Sequence, residues 1–275
     1  MDEENVRRVV RKGYSEIAKG KSLCCGSSRV CCDEKTSVAV SRSIGYSEEE
    51  LASVPEGANL GLGCGNPVAL ASLRKGECVV DLGSGAGFDC FLAAKRVGEE
   101  GRVVGVDMTP EMVDKARANA RKGKYWNVEF RLGEIENLPV ADNFADVVIS
   151  NCVINLSPNK KRVFEEAFRV LKLGGRLMVS DIVLLKLPSA IRRSVKAYVG
   201  CVSGAMMKED YLKTILDAGF QDVKVVEETR FPIEYMINDP TAKALIDDLK
   251  ISRKTLISLD NAIASIKVSA VKRVK

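Results

Sequence analysis

The chain has 275 residues, of which 46% are hydrophobic, and its formal net charge is +5 at pH 7. This length and composition allow a large buried core. Acidic and basic residues alternate along most of the chain, which excludes the strongly basic stripe typical of nucleic-acid-binding proteins. The sequence shows neither a signal peptide nor an apolar run of about 18 residues. We therefore expect a cytoplasmic protein that binds neither nucleic acid nor membrane, with a monomer as the default.

The chain contains nine cysteines and no histidine. Because no secretion signal accompanies the cysteines, we expect core thiols, ligands of a soft ion or redox groups rather than a disulfide scaffold. The absence of histidine excludes the commonest general base and the commonest nitrogen ligand of transition metals. A soft ion would have to be held largely by sulfur. We predict no structural metal.

The first 76 residues precede a regular pattern and form the first predicted segment. An amphipathic helix is predicted over 3–19, and a Gly-, Ser- and Cys-rich loop over 20–36. Ser47 is positioned to cap a short helix over Glu48–Ser53. A glycine-rich turn, Asn59–Pro67, surrounds Cys64. We expect the helix and the cysteine loop to form a lid over a site in the next segment.

From Glu77 onward, strand and helix patterns alternate, which predicts an α/β fold of Rossmann-like type with helices on both faces of a parallel sheet. The predicted strands are 78–82, 102–106, 127–132, 145–150 and 175–182, and the predicted helices are 87–97, 110–122, 159–171, 189–200 and 208–218. Two alternating segments, Asp222–Glu227 and Ala264–Val271, are predicted as late strands, with a helical stretch over 238–262. We divide this part into a core, 77–230, and an extension that closes the sheet, 231–275.

A glycine turn follows the first strand of this core. Gly83, Gly85 and Gly87 allow the backbone to turn tightly and to approach a ligand closely. Asp107 ends the next strand, where its carboxylate can accept hydrogen bonds from ribose hydroxyls. The turn by itself fits a dinucleotide enzyme nearly as well, or a strand–helix turn without a ligand in which Asp107 caps the following helix.

Four details favour S-adenosylmethionine over a dinucleotide. Asp81 stands just before the turn, where its carboxylate can face a cationic ligand. The Asp-Leu-Gly-Ser-Gly-Ala-Gly motif lacks the second pair of glycine spacings that a pyrophosphate requires. Glu134 follows the third strand, where a carboxylate can read an adenine amino group. The fourth strand leads to a polar end at Asn151.

Together, residues 77–182 resemble the class I S-adenosylmethionine-dependent methyltransferases. The resemblance implies that Asp81 and Gly83 lie near the methionine part of the donor, Asp107 at its ribose and Met108 against its adenine ring. Glu134 or Ile135 would lie at the adenine edge. The donor-binding set is therefore predicted to be Asp81, Gly83, Ser84, Gly85, Gly87, Asp107, Met108, Glu134, Ile135 and Asn151.

Three cysteines far apart in the sequence lie in segments that this fold brings to the ligand crevice: Cys64, Cys152 and Cys201. Trivalent arsenic or antimony forms three bonds to sulfur and keeps a lone pair, which suits three converging thiolates without histidine. Zinc is disfavoured, because it takes four ligands, commonly in spaced pairs. The alternative is that all three are small buried hydrophobic residues, as we predict for Cys78 and Cys90.

Three motifs surround these cysteines: Gly-Cys-Gly-Asn-Pro, Ser-Asn-Cys-Val-Ile-Asn-Leu and Gly-Cys-Val-Ser-Gly-Ala. Together with Ser-Ile-Gly-Tyr-Ser-Glu-Glu-Glu-Leu at 43–51, they resemble the arsenite S-adenosylmethionine methyltransferases. The resemblance implies As(III) bound by Cys64, Cys152 and Cys201 and methylated stepwise. It also implies a disulfide between Cys64 and an upstream cysteine during turnover, and hence an external thiol or thioredoxin-type reductant. The candidates for the upstream partner are Cys24, Cys25, Cys31 and Cys32, of which Cys31 and Cys32 are favoured as the nearest.

Two other functions share parts of this pattern. A C- or O-methyltransferase of a quinone-like small molecule would use the same donor core, but it would not explain the three cysteines. A non-catalytic metalloid-binding protein would not need Asp81, Asp107 and Glu134.

Overall fold

The computed structural model describes residues 3–20, 34–186, 204–230 and 262–273. Several sequence predictions therefore lie outside the described residues: the helices over 189–200 and 238–262, and the positions of Cys24, Cys25, Cys31, Cys32 and Cys201. None of the helices within the described ranges has the length and apolar character that a membrane span requires.

One seven-stranded sheet organises the described part of the chain, in the order β3-β2-β1-β4-β5-β7-β6. Strands β1 to β5 run parallel, and β7 pairs antiparallel with both β5 and β6. The bounds are β1 Cys78–Leu82, β2 Arg102–Asp107, β3 Val128–Leu132, β4 Ala145–Asn151, β5 Leu171–Leu184, β6 Gln221–Arg230 and β7 Ile263–Val271. The predicted strands are confirmed, although the later of the two late strands lies inside the sheet and leaves β6 at its edge.

Eight α-helices are described: α1 Glu3–Ala18, α2 Glu34–Ser43, α3 Glu48–Ser53, α4 Pro67–Leu70, α5 Phe88–Val97, α6 Pro110–Lys122, α7 Lys160–Val170 and α8 Lys208–Asp217. A short 3-10 turn covers Ile154–Leu156. Helix α3 carries the predicted cap, in which Ser47 and Glu50 each bond the other's backbone N–H.

The predicted loop over 20–36 is wrong at its end, since α2 begins at Glu34. Long-range contacts hold this helix. Ser41 is buried, and its hydroxyl donates to Asn59 Oδ1 at 2.9 Å. The Gly-, Ser- and Cys-rich composition just upstream conceals such contacts from the sequence pattern.

The central strands β1, β2 and β4 are buried on both faces, as their continuous apolar sequences predict, whereas the edge strand β6 is largely exposed. On one face, Leu82, Val106 and Val148 join a core cluster that includes residues of α7 and α8. On the other face, Val79, Val103 and Ile149 pack in a cluster with residues of α5 and α6. With both faces covered, the carboxyl ends of the strands are where loops and polar residues meet.

Candidate functional site

A cavity opens at the carboxyl ends of β1, β2 and β4, and three side chains of α1 line it: Arg7, Val10 and Tyr14. Eight residues of the predicted donor-binding set line this cavity: Asp81, Gly83, Ser84, Gly85, Asp107, Met108, Ile135 and Asn151. The parallel strands therefore bring residues from a 71-position stretch of sequence to one concave surface. Gly87 and Glu134 of the predicted set are not part of its lining.

The three glycines of the turn all have positive φ, but they have different structural roles. A Cβ atom on Gly83 would lie 2.4 Å from Val153 Cγ2, and one on Gly87 would lie 2.7 Å from Phe130 Cζ. A Cβ atom on Gly85, with φ +52°, would meet nothing within 4 Å. Gly83 and Gly87 therefore serve close packing, whereas Gly85 leaves open space beside the backbone for a ligand.

Asp107 joins the end of β2 to the glycine turn and to the start of α6. Its Oδ2 accepts the N–H of Gly85 at 3.0 Å, and its Oδ1 accepts the N–H of Thr109 at 2.8 Å. Burial raises the pKa of Asp107, and the hydrogen bonds from Thr109 and Gly85 oppose that shift. The carboxylate thus has a structural task as well as a place in the cavity wall.

Two further carboxyl groups are buried at the cavity, Asp81 and Asp89. Burial, followed by the charge of Asp89, raises the pKa of Asp81 well above its ordinary value. Burial raises the pKa of Asp89 to about 6, against hydrogen bonds from Tyr46 and Asn151 that lower it. Among the described residues, no lysine or arginine forms an ion pair with either carboxyl. A cationic ligand would offset this accumulated charge, so the cavity fits a sulfonium donor.

Sequence reasoning missed Asp89 and Tyr46. The Tyr46 hydroxyl donates to Asp89 Oδ1 at 2.6 Å, and both residues are buried. Asp89 follows the third glycine of the turn by two positions, which is a signal that the glycine motif itself offered. Tyr46 lies in the motif that begins at Ser43, but that motif gave no indication of a contact with Asp89, from which 43 positions separate it.

Glu134 pairs with α1 instead of lining the cavity. Its Oε1 accepts from Arg11 Nη2 at 3.2 Å, and its Oε2 lies 3.5 Å from Arg7 Nε. Glu136, two positions later, lines the cavity and accepts the Ser157 hydroxyl at 2.7 Å. The loop after β3 therefore holds α1 at the cavity wall through these ion pairs, and the role of α1 as a lid stays a prediction. The adenine contact of Glu134 stays a prediction.

Next to the donor cavity, two of the three predicted cysteines meet. One ligand atom each of Cys64, Cys152 and Asp181 lies within 4.8 Å of the other two. All three residues are buried. Cys201 lies outside the described residues. Of the two predicted core thiols, Cys90 is fully buried and donates to Asp81 Oδ2 at 3.2 Å, whereas Cys78 is partly buried.

Backbone and side-chain contacts fix Cys64 at three points. Its N–H donates to Asn151 Oδ1 at 3.0 Å, and its carbonyl accepts the Ser265 hydroxyl at 2.8 Å. Its Sγ lies 3.8 Å from Ser180 Oγ. A Cβ atom on Gly65, the next residue, would lie 2.0 Å from Ser180 Oγ, so only glycine fits there.

Cys152 sits in a strained backbone conformation directly after β4. Its φ is +59°, in the left-handed region that costs an L-residue with a side chain roughly 1–2 kcal/mol. Its N–H donates to the Ser180 carbonyl at 2.8 Å, which holds the strained residue against β5. Strain of this kind persists where the surrounding structure fixes a side chain in one direction.

Asp181 was not predicted from the sequence. Its Oδ1 accepts from Asn155 Nδ2 at 2.8 Å and from the N–H of Ile182 at 3.0 Å, and its Oδ2 accepts the Tyr211 hydroxyl at 3.1 Å. Burial raises its pKa to about 7, although these hydrogen bonds and the charge of Lys160 lower it. The thiol pair therefore lies beside a carboxyl group whose orientation is fixed.

Comparisons with known proteins support the methyltransferase fold. The model of a family described as "Methyltransferase domain" matches residues 73–219. The chain is similar to an arsenite methyltransferase of Halobacterium salinarum, with 50% identity over 242 residues, which cover 84% of this chain and 62% of that protein. It is also similar to an arsenite methyltransferase of Aquipseudomonas alcaligenes, with 42% identity over 174 residues, which cover 60% of this chain and 50% of that protein.

Among solved structures, the chain resembles CrArsM, an arsenic(III) S-adenosylmethionine methyltransferase from Chlamydomonas reinhardtii. The TM-score is 0.64 at 32% identity, and the match covers 85% of this chain and 74% of that one. The chain spans between 50% and 62% of the length of the two curated relatives. From its fold, its cavity and these similarities, the chain belongs to the class I S-adenosylmethionine-dependent methyltransferases and, within them, to the arsenite methyltransferase family.

Proposed function

We propose that this chain transfers methyl groups from S-adenosylmethionine to trivalent arsenic held by Cys64, Cys152 and Cys201. The observation that carries the proposal is the buried pair of thiols, Cys64 and Cys152, at the edge of the donor cavity. The names of the relatives, both arsenite methyltransferases, support the choice of arsenic over other soft centres.

On the donor side, each proposed contact follows from a residue in the cavity wall. The open backbone at Gly85 receives the donor, and Asp107 accepts its ribose hydroxyls. Met108 and Ile135 pack against the adenine ring. The buried carboxyls Asp81 and Asp89 attract the cationic methionine portion, because a positive charge stabilises their ionised forms.

On the acceptor side, arsenic exchanges its oxygen or thiol ligands for the cysteine sulfurs, and each proton lost from a thiol leaves with the displaced ligand. The arsenic lone pair then forms the As–C bond while the electrons of the C–S bond return to sulfur. No proton is abstracted, so the step needs no general base. Catalysis would then consist of aligning two bound reactants and excluding water from a sulfonium that loses its charge.

Methylation leaves arsenic formally pentavalent, so a further round requires two electrons. We propose that Cys64 and an upstream cysteine, Cys31 or Cys32, supply them by forming a disulfide. An external thiol or a thioredoxin-type reductant then restores the thiols. This pairing depends on the family resemblance. The cytoplasmic location, expected from the lack of a signal peptide and of a long apolar run, stays a prediction, as does the division at residues 76 and 230. A monomer is retained only as the default.

Arsenic speciation by chromatography with mass detection tests the proposal. The purified protein is incubated with arsenite, S-adenosylmethionine and a thiol reductant. We expect methylated arsenic in proportion to protein, and its loss in Cys152→Ser with donor binding retained. Cys78→Ser, which changes a cysteine outside the cavity, should keep the activity. Normal activity of Cys152→Ser would refute the assignment of the thiols.

Radiolabel transfer from S-adenosylmethionine with and without arsenite separates this function from its rivals. Labelled product only with arsenite supports the proposal. Transfer to a quinone-like acceptor without arsenite would indicate the small-molecule methyltransferase. Binding of arsenite without any transfer would indicate a metalloid-binding protein.

A further inference from the structure

The side-chain amide of Asn151, at the end of β4, forms its hydrogen bonds with other groups of the protein. Its Oδ1 accepts the N–H of Cys64 at 3.0 Å. Its Nδ2 lies 2.8 Å from the Gly65 carbonyl, 2.9 Å from the Tyr46 hydroxyl and 3.1 Å from Asp89 Oδ2. Three acceptors therefore share two N–H hydrogens, which leaves little hydrogen-bonding capacity for a bound donor.

We propose that Asn151 is a positioning residue that fixes the Cys64 thiol against the wall of the methyl-donor cavity, and that it is not primarily a contact of the donor. This inference rests on the proposed function, because it assigns the geometry of that same site. It replaces the donor contact that the sequence predicts for Asn151.

The fit between Asn151 and the cysteine turn supports this role. A Cβ atom on Gly63 would lie 2.8 Å from Asn151 Nδ2 and 2.9 Å from its Oδ1. Only glycine at position 63, with φ +122°, lets the turn close over the amide. The Gly-Cys-Gly sequence is thus shaped on one side by Asn151 and on the other by Ser180.

Asn151 also directly precedes Cys152. Its side chain holds one thiol-bearing turn, while its main chain leads into the left-handed residue that carries the other thiol. One residue therefore sets the positions of Cys64 and Cys152, the two described thiols of the proposed arsenic site. A displacement of about 1 Å in a reacting group costs on the order of 100-fold in rate, so this placement bears directly on methyl transfer.

The same amide connects the thiol turn with the donor side. Asp89 lines the donor cavity, accepts the Tyr46 hydroxyl and accepts from Asn151 Nδ2. Tyr46 in turn accepts from Asn151. A shift of Asp89 when a cationic donor binds would therefore be passed to Cys64 through a single side chain.

The test compares Asn151→Ala with a matched control, Asn127→Ala. Asn127 is also a partly buried asparagine whose Nδ2 bonds two carbonyls, those of Ala94 and Gly98, but it precedes β3 at the opposite end of the sheet. Three quantities are measured: kcat/KM for arsenite, the Kd of S-adenosylmethionine by calorimetry, and the alkylation rate of Cys64 by iodoacetamide, followed by peptide mass spectrometry without arsenic.

We expect Asn151→Ala to lower kcat/KM for arsenite by about 100-fold. The donor Kd should change by less than about threefold, which is less than the change that the loss of one hydrogen bond to the donor would cause. Alkylation of Cys64, which is 4% exposed, should accelerate roughly fivefold, the factor that corresponds to one lost hydrogen bond. Asn127→Ala should change none of the three. A donor Kd that rises in parallel with the loss of activity would overturn the proposal and restore the donor contact. Unchanged alkylation of Cys64 would overturn it as well.

A second variant tests the same role in case Asn151→Ala does not fold. Gly63→Ala keeps Asn151 but places a methyl group against its amide, so it should reproduce the faster alkylation of Cys64. If the wild-type protein makes no methylated arsenic, the proposed function fails. The alkylation rate and the donor Kd still decide the role of Asn151 in that case.

Discussion

The buried carboxyl of Asp181 makes the stability of the protein depend on pH in a defined direction. Burial raises its pKa from 3.8 to about 7. In the unfolded chain the group is ionised above about pH 4, whereas in the folded protein it keeps its proton up to about pH 7. Since the folded state binds the extra proton, the contribution of Asp181 to stability is greatest at low pH and is lost as the pH rises from about 4 to about 7.

The size of this effect follows from the shift. Each pKa unit corresponds to about 1.4 kcal/mol, so a rise from 3.8 to about 7 gives an upper limit of roughly 4 kcal/mol. For a domain of this size, such a difference moves Tm by on the order of 10 °C. Asp181→Asn removes the titration and keeps an oxygen that can accept from Asn155 and Ile182.

The assay is urea unfolding of wild type and Asp181→Asn, with reduced thiols and no ligand, at pH values from 4.5 to 8.5. We expect the stability of the variant relative to wild type to increase up to about pH 7 and to stay constant above it. Asp142→Asn, which makes the same substitution at an exposed carboxyl, serves as the control for the change itself. Parallel curves for wild type and Asp181→Asn would refute the reasoning.

Two further predictions concern the same region. Cys152 has φ +59°, a conformation that glycine adopts more easily than alanine. In urea unfolding, Cys152→Gly should therefore be more stable than Cys152→Ala by about 1 kcal/mol, whereas at positions with negative φ alanine is the more stable residue. Equal stability of the two variants would show that the left-handed conformation is not maintained. Burial raises the pKa of Asp89 to about 6, and only its ionised form attracts a cation. The affinity for S-adenosylmethionine should therefore increase, by up to about tenfold for each pH unit, as the pH rises toward 6, and should stay constant above that pH. Affinities measured by calorimetry that do not change from pH 5 to 8 would contradict the role of the buried carboxyls.

The strands of the sheet were predictable because the sequence of each strand alone indicates its structure. Continuous apolar stretches such as Ala145–Ile149 need only their own residues to indicate a strand buried on both faces. Helix α2 depends on contacts with residues near Asn59, and its own sequence gives a weak signal. The position of β7 between β5 and β6 depends on which edge is free after the parallel strands have assembled, and alternation within 263–271 carries no information about that.

The site was predictable where a ligand motif is contiguous. The glycine turn, Asp107 and the motifs around Cys64 and Cys152 could be read directly. Asp181 could not be predicted, because a single acidic residue in an apolar strand indicates no site by itself. Only the fold shows that it lies beside two thiols. Glu134 shows the converse case. Its place in the motif suggested an adenine contact, but its position next to α1 depends on a pairing with Arg11 across 123 positions.

The bond from Ser265 to the Cys64 carbonyl sets an order of assembly. The two residues lie 201 positions apart, and Ser265 stands in β7, which reaches the sheet only after β1 to β5 have been synthesised. At typical rates of translation, roughly 10 to 40 s separate the two residues on the ribosome. The donor cavity can form during that interval, but the cysteine turn cannot be completed. Until β7 joins the sheet, the Cys64 carbonyl lacks the hydroxyl of Ser265, and the turn that carries the thiol is held by fewer contacts than in the finished fold.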